Sequence, residues 1–194
     1  NYLNDGIYDV TLTTSKGGMC SNSSTFFSAI EVFPKPDIQL SSDTNYGCTL
    51  PFAVEFTNQT INAVSWNWDF GNGVTSTFAN PSALYINYGN YDVSLKVLNN
   101  YGCSKKKIFS NLIKLEKINI NISANELSGC FPFDINFLDS TNSIRPIVDW
   151  SWSFGDGNFS NIQNPTNQYT SAGIFDVSLY IMNDYGCTVN KIFS

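Results

Sequence analysis

One eight-residue stretch occurs twice in this chain and limits what the chain can fold into. Residues 66–73 read WNWDFGNG, and residues 150–157 read WSWSFGDG. In both copies large aromatic residues alternate with small polar ones and then meet a Gly-x-Gly turn. This pattern predicts a β-strand with one buried face, closed by a tight hairpin whose glycines can adopt positive φ.

A second pattern occurs three times and indicates tandem repeats. Residues 6–14, 89–97 and 173–181 read GIYDVTLTT, GNYDVSLKV and GIFDVSLYI, with an apolar residue at nearly every second position. Such copies predict one half-buried strand per repeat. We expect three segments of a longer polypeptide: the end of a truncated module plus a Pro-rich linker at 1–36, a module at 37–116, and a module at 117–194 with its last strand cut short.

No segment of either module shows a helical period. Val, Ile, Phe, Tyr and Thr recur with period two, and turn residues interrupt them about every ten positions. This organisation predicts an all-β fold in which seven-stranded, immunoglobulin-like antiparallel β-sandwiches follow one another in an elongated array. Because the junctions are short, we expect limited flexibility between modules.

The five cysteines predict an exported protein. Four of them form two couples of similar spacing, Cys48 with Cys103 and Cys130 with Cys187, and each follows a glycine. This placement predicts one disulfide within each module and an oxidising compartment. Cys20 aligns with Cys103 and Cys187, so its expected partner precedes residue 1.

Charge and hydropathy exclude two classes of partner. The net charge is −6 and only 13% of residues are charged, so the basic surface that nucleic-acid binding needs is lacking. No apolar run approaches the roughly 18 residues of a membrane-spanning helix.

The motifs together resemble the PKD repeat, first named for the polycystic kidney disease protein. Its pattern is W-x-F-G-D-G, a Pro in a loop, an aromatic before a Gly, and G-x-Y-x-V-x-L-x-V. The second module carries it at Trp68, Phe70, Gly71, Gly73, Pro81, Tyr85, Gly89 and 91–97, and the third at Trp152, Phe154, 155–157, Pro165, Tyr169, Gly173 and 175–181. Asn72 replaces the usual Asp, and Ser153 stands where the second module has Asp69, which argues against an acidic metal site.

The resemblance extends to PKD arrays of large Bacteroidota surface proteins. It implies a non-catalytic extracellular stalk or adhesion module, exported by the type IX system, associated with the outer membrane and used as a surface or gliding adhesin. The implied partners are other modules of the same chain and surface polysaccharides or proteins. The alternative is an accessory module of a secreted hydrolase that positions substrate or binds carbohydrate or protein.

Each candidate site residue also has a possible structural role. Trp68 and Trp152 are predicted to be core residues, because they share a strand face with Phe70 and Phe154. Trp66 and Trp150 lie further from the turn and are the candidates for stacking on a sugar ring. Asp69 and Asp156 are isolated carboxylates, which favours turn roles over Ca²⁺ binding.

Catalysis has little support in this sequence. It contains no histidine, which excludes Ser-His and Cys-His nucleophile pairs and imidazole metal ligands within these residues. We predict no catalytic residue, metal or cofactor. Asp9, Asp92 and Asp176 recur at one strand position and are expected to make a hydrogen bond that each copy of the fold reuses.

Overall fold

The structure is a computed structural model and describes residues 1–18 and 20–193. All regular secondary structure in this range is β-strand. This confirms the predicted all-β class. The strands are β1 (Gly6–Lys16), β2 (Cys20–Val32), β3 (Leu40–Ser42), β4 (Tyr46–Gly47), β5 (Phe52–Asn58), β6 (Ala63–Asp69), β7 (Thr75–Ser76), β8 (Ser82–Tyr85), β9 (Gly89–Asn99), β10 (Ser104–Leu115), β11 (Ile122–Ala124), β12 (Phe133–Asp139), β13 (Ile147–Ser153), β14 (Phe159–Ser160), β15 (Thr166–Tyr169), β16 (Val177–Asn183) and β17 (Thr188–Phe193).

The residue pattern of strand β12 shows why these segments are strands. Ile135, Phe137 and Asp139 are buried, while the residues between them are exposed. Successive side chains of a strand point to opposite faces, so a period of two places one face in the core and the other in solvent. The same alternation buries Val93, Leu95 and Val97 in β9.

The chain divides into two compact units. Unit 1 contains residues 1–45, 53–85 and 90–113, and unit 2 contains residues 46–52, 86–89 and 114–194. Two short segments of the second sequence repeat therefore belong to the unit that is formed mainly by the third repeat.

Unit 1 contains two facing groups of strands and a separate hairpin. One sheet has the order β3-β5-β8, and the other contains the run β10-β9-β6-β7. Its buried core includes Phe56, Trp68, Phe70, Tyr85 and Leu95. The core thus lies on the strand faces that the alternating apolar residues predicted.

The hairpin of β1 and β2 forms a two-stranded antiparallel sheet. The first copy of the recurrent strand lies here, and its apolar side chains are more exposed than those of the other copies. Leu12 is 60% exposed, whereas its counterparts Leu95 and Leu179 are 0% exposed. In the later copies a second sheet covers this face, and within the described residues the hairpin belongs to no larger sheet.

Unit 2 contains the predicted seven-stranded sandwich. Its sheets have the orders β11-β12-β15 and β14-β13-β16-β17, and the neighbouring strands of both sheets are antiparallel. Unit 2 also contains β4, which pairs in parallel with the end of β10 through Tyr46–Lys114 and Gly47–Leu115. This parallel pairing was not predicted, and it places Cys48 at the edge of unit 2.

Candidate functional site

The doubled-tryptophan strands supply the centre of each core. Trp68 and Trp152 are both fully buried, which confirms the prediction for the second tryptophan of each pair. The centroid of the Trp152 ring lies 6.2 Å from that of Phe154 and 5.5 Å from that of Phe137. In unit 1 the centroid of Trp68 lies 6.1 Å from that of Phe70 and 5.7 Å from that of Phe56. Buried indole N–H groups need acceptors. The two indoles donate to the carbonyls of Phe78 and Ile162 at 2.9 and 3.1 Å.

The Gly-x-Gly turns use their polar side chains to close the hairpin. In unit 1, Asn72 Oδ1 accepts a hydrogen bond from the Val74 N–H at 3.0 Å, and its amide donates to the Leu84 carbonyl. In unit 2, Asp156 Oδ1 accepts from the Asn158 N–H at 2.9 Å. Asn and Asp therefore fill the same turn role, so the exchange of one for the other leaves the turn intact.

The carboxylate of Asp156 is held by its neighbours in this turn. Burial alone would raise its pKa. Hydrogen bonds from the side chain of Asn167 at 2.8 Å and from Asn158 outweigh that effect and lower the pKa of Asp156 below its ordinary value. These protein donors occupy the carboxylate oxygens that a metal ion would need.

Among residues 1–18 and 20–193, no group of three or more His, Cys, Asp or Glu side chains comes together in a way that could hold a metal ion. In the same range no helix is long and apolar enough to cross a membrane.

The first tryptophan of each pair lies half-buried at the sheet face. The Trp150 indole donates to Asp139 Oδ2 at 2.8 Å, whereas the Trp66 indole N–H is buried and has no hydrogen-bond partner among residues 1–18 and 20–193. Asn58 occupies the position of Asp139 in unit 1. An amide has one acceptor oxygen where a carboxylate has two, and the Asn58 oxygen already accepts from the Thr60 N–H. The stacking role of Trp66 and Trp150 stays a prediction.

Two of the three recurrent aspartates, Asp9 and Asp92, make the same hydrogen bond. Asp9 Oδ1 accepts from the Ser28 N–H at 2.7 Å, and Asp92 Oδ1 accepts from the Asn111 N–H at 2.6 Å. Ser28 and Asn111 have positive φ values of 52° and 50°. In these two copies the carboxylate stabilises an irregular point in the neighbouring strand, as expected. The same bond for Asp176 stays a prediction.

The disulfide of the structure corrects the predicted pairing. Cys48 is bonded to Cys187, with a Cα–Cα distance of 5.9 Å, and among the described residues Cys20, Cys103 and Cys130 are free. The predicted bonds Cys48–Cys103 and Cys130–Cys187 are therefore both wrong. Both bonded cysteines belong to unit 2, although Cys48 comes from the second sequence repeat.

The geometry of unit 2 explains why the third repeat does not close its own pair. Cys187 lies in the turn that joins β16 to β17, and Val177 pairs with Phe193 at the opposite end of these strands. Val177 and Phe193 line an apolar cavity of about 930 Å³ together with Gly129 and Phe131, the neighbours of Cys130. The six residues of β17 span about 20 Å. A disulfide needs its two Cα atoms within about 7 Å of each other. Cys130 and Cys187, at opposite ends of β17, are therefore too far apart to bond.

A polar network surrounds the bonded pair. The Tyr46 hydroxyl donates to Glu116 Oε1, which also accepts from Ser143, and the Asn183 amide donates to the Tyr46 hydroxyl at 2.8 Å. Burial, and then the hydrogen bond and charge of Glu116, raise the pKa of Tyr46 well above its ordinary value. The network therefore keeps Tyr46 neutral at the junction that holds Cys48 beside Cys187.

Sequence reasoning did not find this network, because the residues are far apart in the chain and each is unremarkable alone. The cysteine couples are equally compatible with a bond within a repeat and with a bond offset by one repeat. Only the positions of the cysteines at the strand ends distinguish the two.

A family model described as the PKD domain matches residues 31–112 and, a second time, residues 119–193. The chain belongs to the PKD domain family. The expected resemblance is therefore confirmed at the level of the repeat. The hydrogen-bonded turns and buried tryptophans described above are shared by the two PKD repeats of this chain.

One relative of these PKD repeats is named as a metalloprotease precursor. The chain is 35% identical over 127 residues to the pre-pro-metalloprotease PrtV of Vibrio cholerae, and the matched part is 64% of this chain and 14% of PrtV. The chain thus spans only a small part of that relative.

Two solved structures of single PKD domains are also similar. The PKD1 domain of the Vibrio cholerae metalloprotease PrtV is 31% identical, with a TM-score of 0.37, and covers 43% of this chain and 100% of that domain. The PKD1 domain of Vibrio anguillarum Epp is 26% identical, with a TM-score of 0.36, and covers 43% of this chain and 98% of that domain.

Proposed function

We propose that this chain is a non-catalytic extracellular spacer, part of the stalk of a large cell-surface protein. The observation that carries the proposal is that both PKD repeats use the same conspicuous side chains in the same structural roles. The second tryptophan of each pair is buried, and the polar residues of each Gly-x-Gly turn bond to their own turn. Side chains that stabilise the fold in the same way in both repeats are typical of a spacer module, which contributes length and not a binding or catalytic site.

The parent protein in this proposal is an adhesin of the outer cell surface. The disulfide supports an oxidising, exported location, since such bonds persist outside the cytosol. Export by a type IX system, association with the outer membrane and a role in surface adhesion or gliding follow from the likeness to Bacteroidota PKD arrays. The partners are then the neighbouring modules of the chain and surface polysaccharides or proteins.

Surface display is tested on intact cells of the source organism. An antibody raised against the 194-residue chain should label unpermeabilised cells, and a protease added outside should remove that label. An antibody against a cytosolic protein is the control and should label only after permeabilisation. Labelling of the PKD chain that also requires permeabilisation would contradict the proposal.

The alternative function is an accessory module of a secreted hydrolase, and one comparison favours it. A relative with 35% identity is named as a metalloprotease precursor, and the matched part is 14% of its length. A hydrolase domain in the same open reading frame as this chain would support the accessory module and count against the adhesin.

Direct carbohydrate binding is a separate test of the half-buried indoles. If Trp66 and Trp150 form stacking platforms, the immobilised chain should bind a polysaccharide, and Trp66→Ala with Trp150→Ala should abolish that binding. The spacer proposal expects no retention that depends on these rings. A matched control is Tyr101→Ala, which removes an exposed aromatic ring from a turn outside the doubled-tryptophan strands.

A further inference from the structure

The disulfide Cys48–Cys187 joins cysteines of two different sequence repeats. Cys48 is the first cysteine of the repeat at 37–116, and Cys187 is the second cysteine of the repeat at 117–194. The bond therefore joins one repeat to the next in the chain. Cys103 and Cys130, which complete the two couples, remain as free thiols among the described residues.

Cys103 occupies the same local structure as the bonded Cys187. The Cys103 N–H donates to Asn99 Oδ1 at 2.9 Å, and the Cys187 N–H donates to Asn183 Oδ1 at 2.9 Å. In both turns the asparagine N–H also donates to the cysteine carbonyl, at 3.0 Å. The two turns thus hold their cysteines in the same way, although only Cys187 forms a disulfide.

In each of these two turns the tyrosine two residues before the cysteine contacts another aromatic ring. Tyr185, two residues before Cys187, packs edge-on against Tyr46 with ring centroids 4.8 Å apart. Tyr101, two residues before Cys103, stacks on Phe33 at 4.6 Å. The partner rings come from different places: Tyr46 lies two residues before the bonded Cys48, whereas Phe33 directly follows β2.

Cys130 shares one packing feature with the bonded Cys48. Each follows a glycine that packs against a phenylalanine: a Cβ added to Gly47 would lie 2.4 Å from Phe52, and one added to Gly129 would lie 2.3 Å from Phe133. The backbone before each cysteine is therefore fixed by the same contact. Cys130 is exposed and Cys103 is half-buried, so both thiols can be reached by a partner.

We propose that Cys103 and Cys130 are cross-linking sites for flanking repeats of the same type, and that Cys48–Cys187 is one rung of a disulfide ladder along the array. In this ladder the first cysteine of each repeat bonds to the second cysteine of the next. Cys130 takes the second cysteine of a following repeat, and Cys103 takes the first cysteine of a preceding one. The inference rests on the proposed array of repeats.

Each rung forms by oxidation of two thiols. The two cysteines lose two protons and two electrons as the S–S bond forms, and a disulfide oxidant such as oxidised glutathione accepts them and is reduced to two thiols.

The ladder is tested by extending the chain in register. Residues 191–194 match residues 107–110, so the full 194-residue chain followed directly by a second copy of residues 111–194 continues the last strand and adds one repeat. Thr188→Ser in the added copy distinguishes its cysteine peptide from the original by mass. The protein is refolded with oxidised and reduced glutathione, and its disulfides are mapped without reduction.

The ladder predicts two bonds in this extended chain: Cys48 with the original Cys187, and Cys130 with the Cys187 of the added copy. A free Cys130 thiol, or a bond from Cys130 to any other cysteine, would overturn the proposal. Either result would leave the spacer function intact, because surface labelling tests that function independently.

A second variant tests the ladder in the 194-residue chain itself. Cys48→Ser leaves Cys187 without its partner, and Cys130 becomes the other cysteine of its own repeat that could bond to it. The ladder predicts that Cys130 and Cys187 both react fully with a thiol reagent under native conditions or on unfolding. A Cys130–Cys187 bond in this variant would show that pairing within a repeat is available and would overturn the offset rule.

Discussion

At the scale of single residues, the two units differ at one informative position. Asp139 gives the Trp150 indole an acceptor, while its counterpart Asn58 leaves the Trp66 indole N–H buried and unpaired. The strand alternation predicted which tryptophan of each pair is in the core. It could not predict this difference, because the acceptor comes from a neighbouring sheet that sequence spacing does not identify.

Exchanging these two residues should change stability in opposite directions. Asp139→Asn should lower the free energy of unfolding by about 1–3 kcal/mol, because it removes the acceptor of a buried donor while retaining the Oδ1 bond to Thr141. Asn58→Asp should raise it, since the second carboxylate oxygen can accept from Trp66. Urea unfolding followed by tryptophan fluorescence measures both. Equal losses in the two variants would contradict this explanation of the unpaired indole.

At the scale of elements, the Gly-x-Gly turn joins sequence to structure most directly. The sequence correctly indicated glycines with positive φ, and Gly71 and Gly73 have φ values of 76° and 87°. The two differ in packing. A Cβ on Gly71 would lie 2.5 Å from the Asp92 carbonyl oxygen, whereas a Cβ on Gly73 would have no described residue within 4 Å apart from its two chain neighbours. In that close approach the turn after β6 contacts β9. The sequence of the turn alone does not predict this contact.

The two glycines therefore form a matched pair of variants. Gly73→Ala should cost about 1 kcal/mol, because only the backbone conformation is strained. Gly71→Ala should cost several kcal/mol, since the backbone of Asp92 must also move. Chemical denaturation of the two variants under identical conditions gives the comparison. If both substitutions cost the same, the contact with Asp92 has no energetic importance.

At the scale of the whole molecule, buried tyrosines couple folding to alkaline pH. Burial raises the pKa of Tyr85 and, together with Glu116, that of Tyr46, and burial likewise raises the pKa of Tyr169. Above about pH 10 the unfolded chain releases these protons while the folded chain retains them. The unfolded state then binds fewer protons, so stability is complete below this pH and falls as pH rises.

Urea unfolding at about pH 8 and about pH 11 tests this coupling. The free thiols are alkylated first, so that disulfide exchange does not contribute. We expect a lower free energy of unfolding at the higher pH, and a smaller decrease in the Tyr169→Phe variant. A stability that is constant or rises over this interval would contradict the predicted direction.

The number and the fold of the repeats followed from periodicity, because each repeat contains its own alternating strands and turns. The disulfide did not, because a bond offset by one repeat depends on which strand ends meet. Cys130 lies near the Phe193 end of its sandwich and Cys187 at the other, a relation that appears only when β16 and β17 are paired. The same bond makes the mechanical role of the chain testable.

A disulfide that closes a loop of 139 residues should stabilise the folded chain and limit its extension under force. By chain entropy alone, reduction should cost up to about 5 kcal/mol of stability. Residues between the two cysteines cannot be extended while the bond is intact. At about 3.6 Å per residue, the bond withholds roughly 500 Å of contour length.

The most direct test is single-molecule extension of the 194-residue chain held by its two ends, oxidised and then reduced. We predict that the oxidised chain extends by about 500 Å less than the reduced chain. The deficit should persist in Cys130→Ser, which removes a cysteine outside the bond. Equal extension of the oxidised and reduced chains, or a deficit that shrinks in Cys130→Ser, would contradict a spacer held by a disulfide between successive PKD repeats.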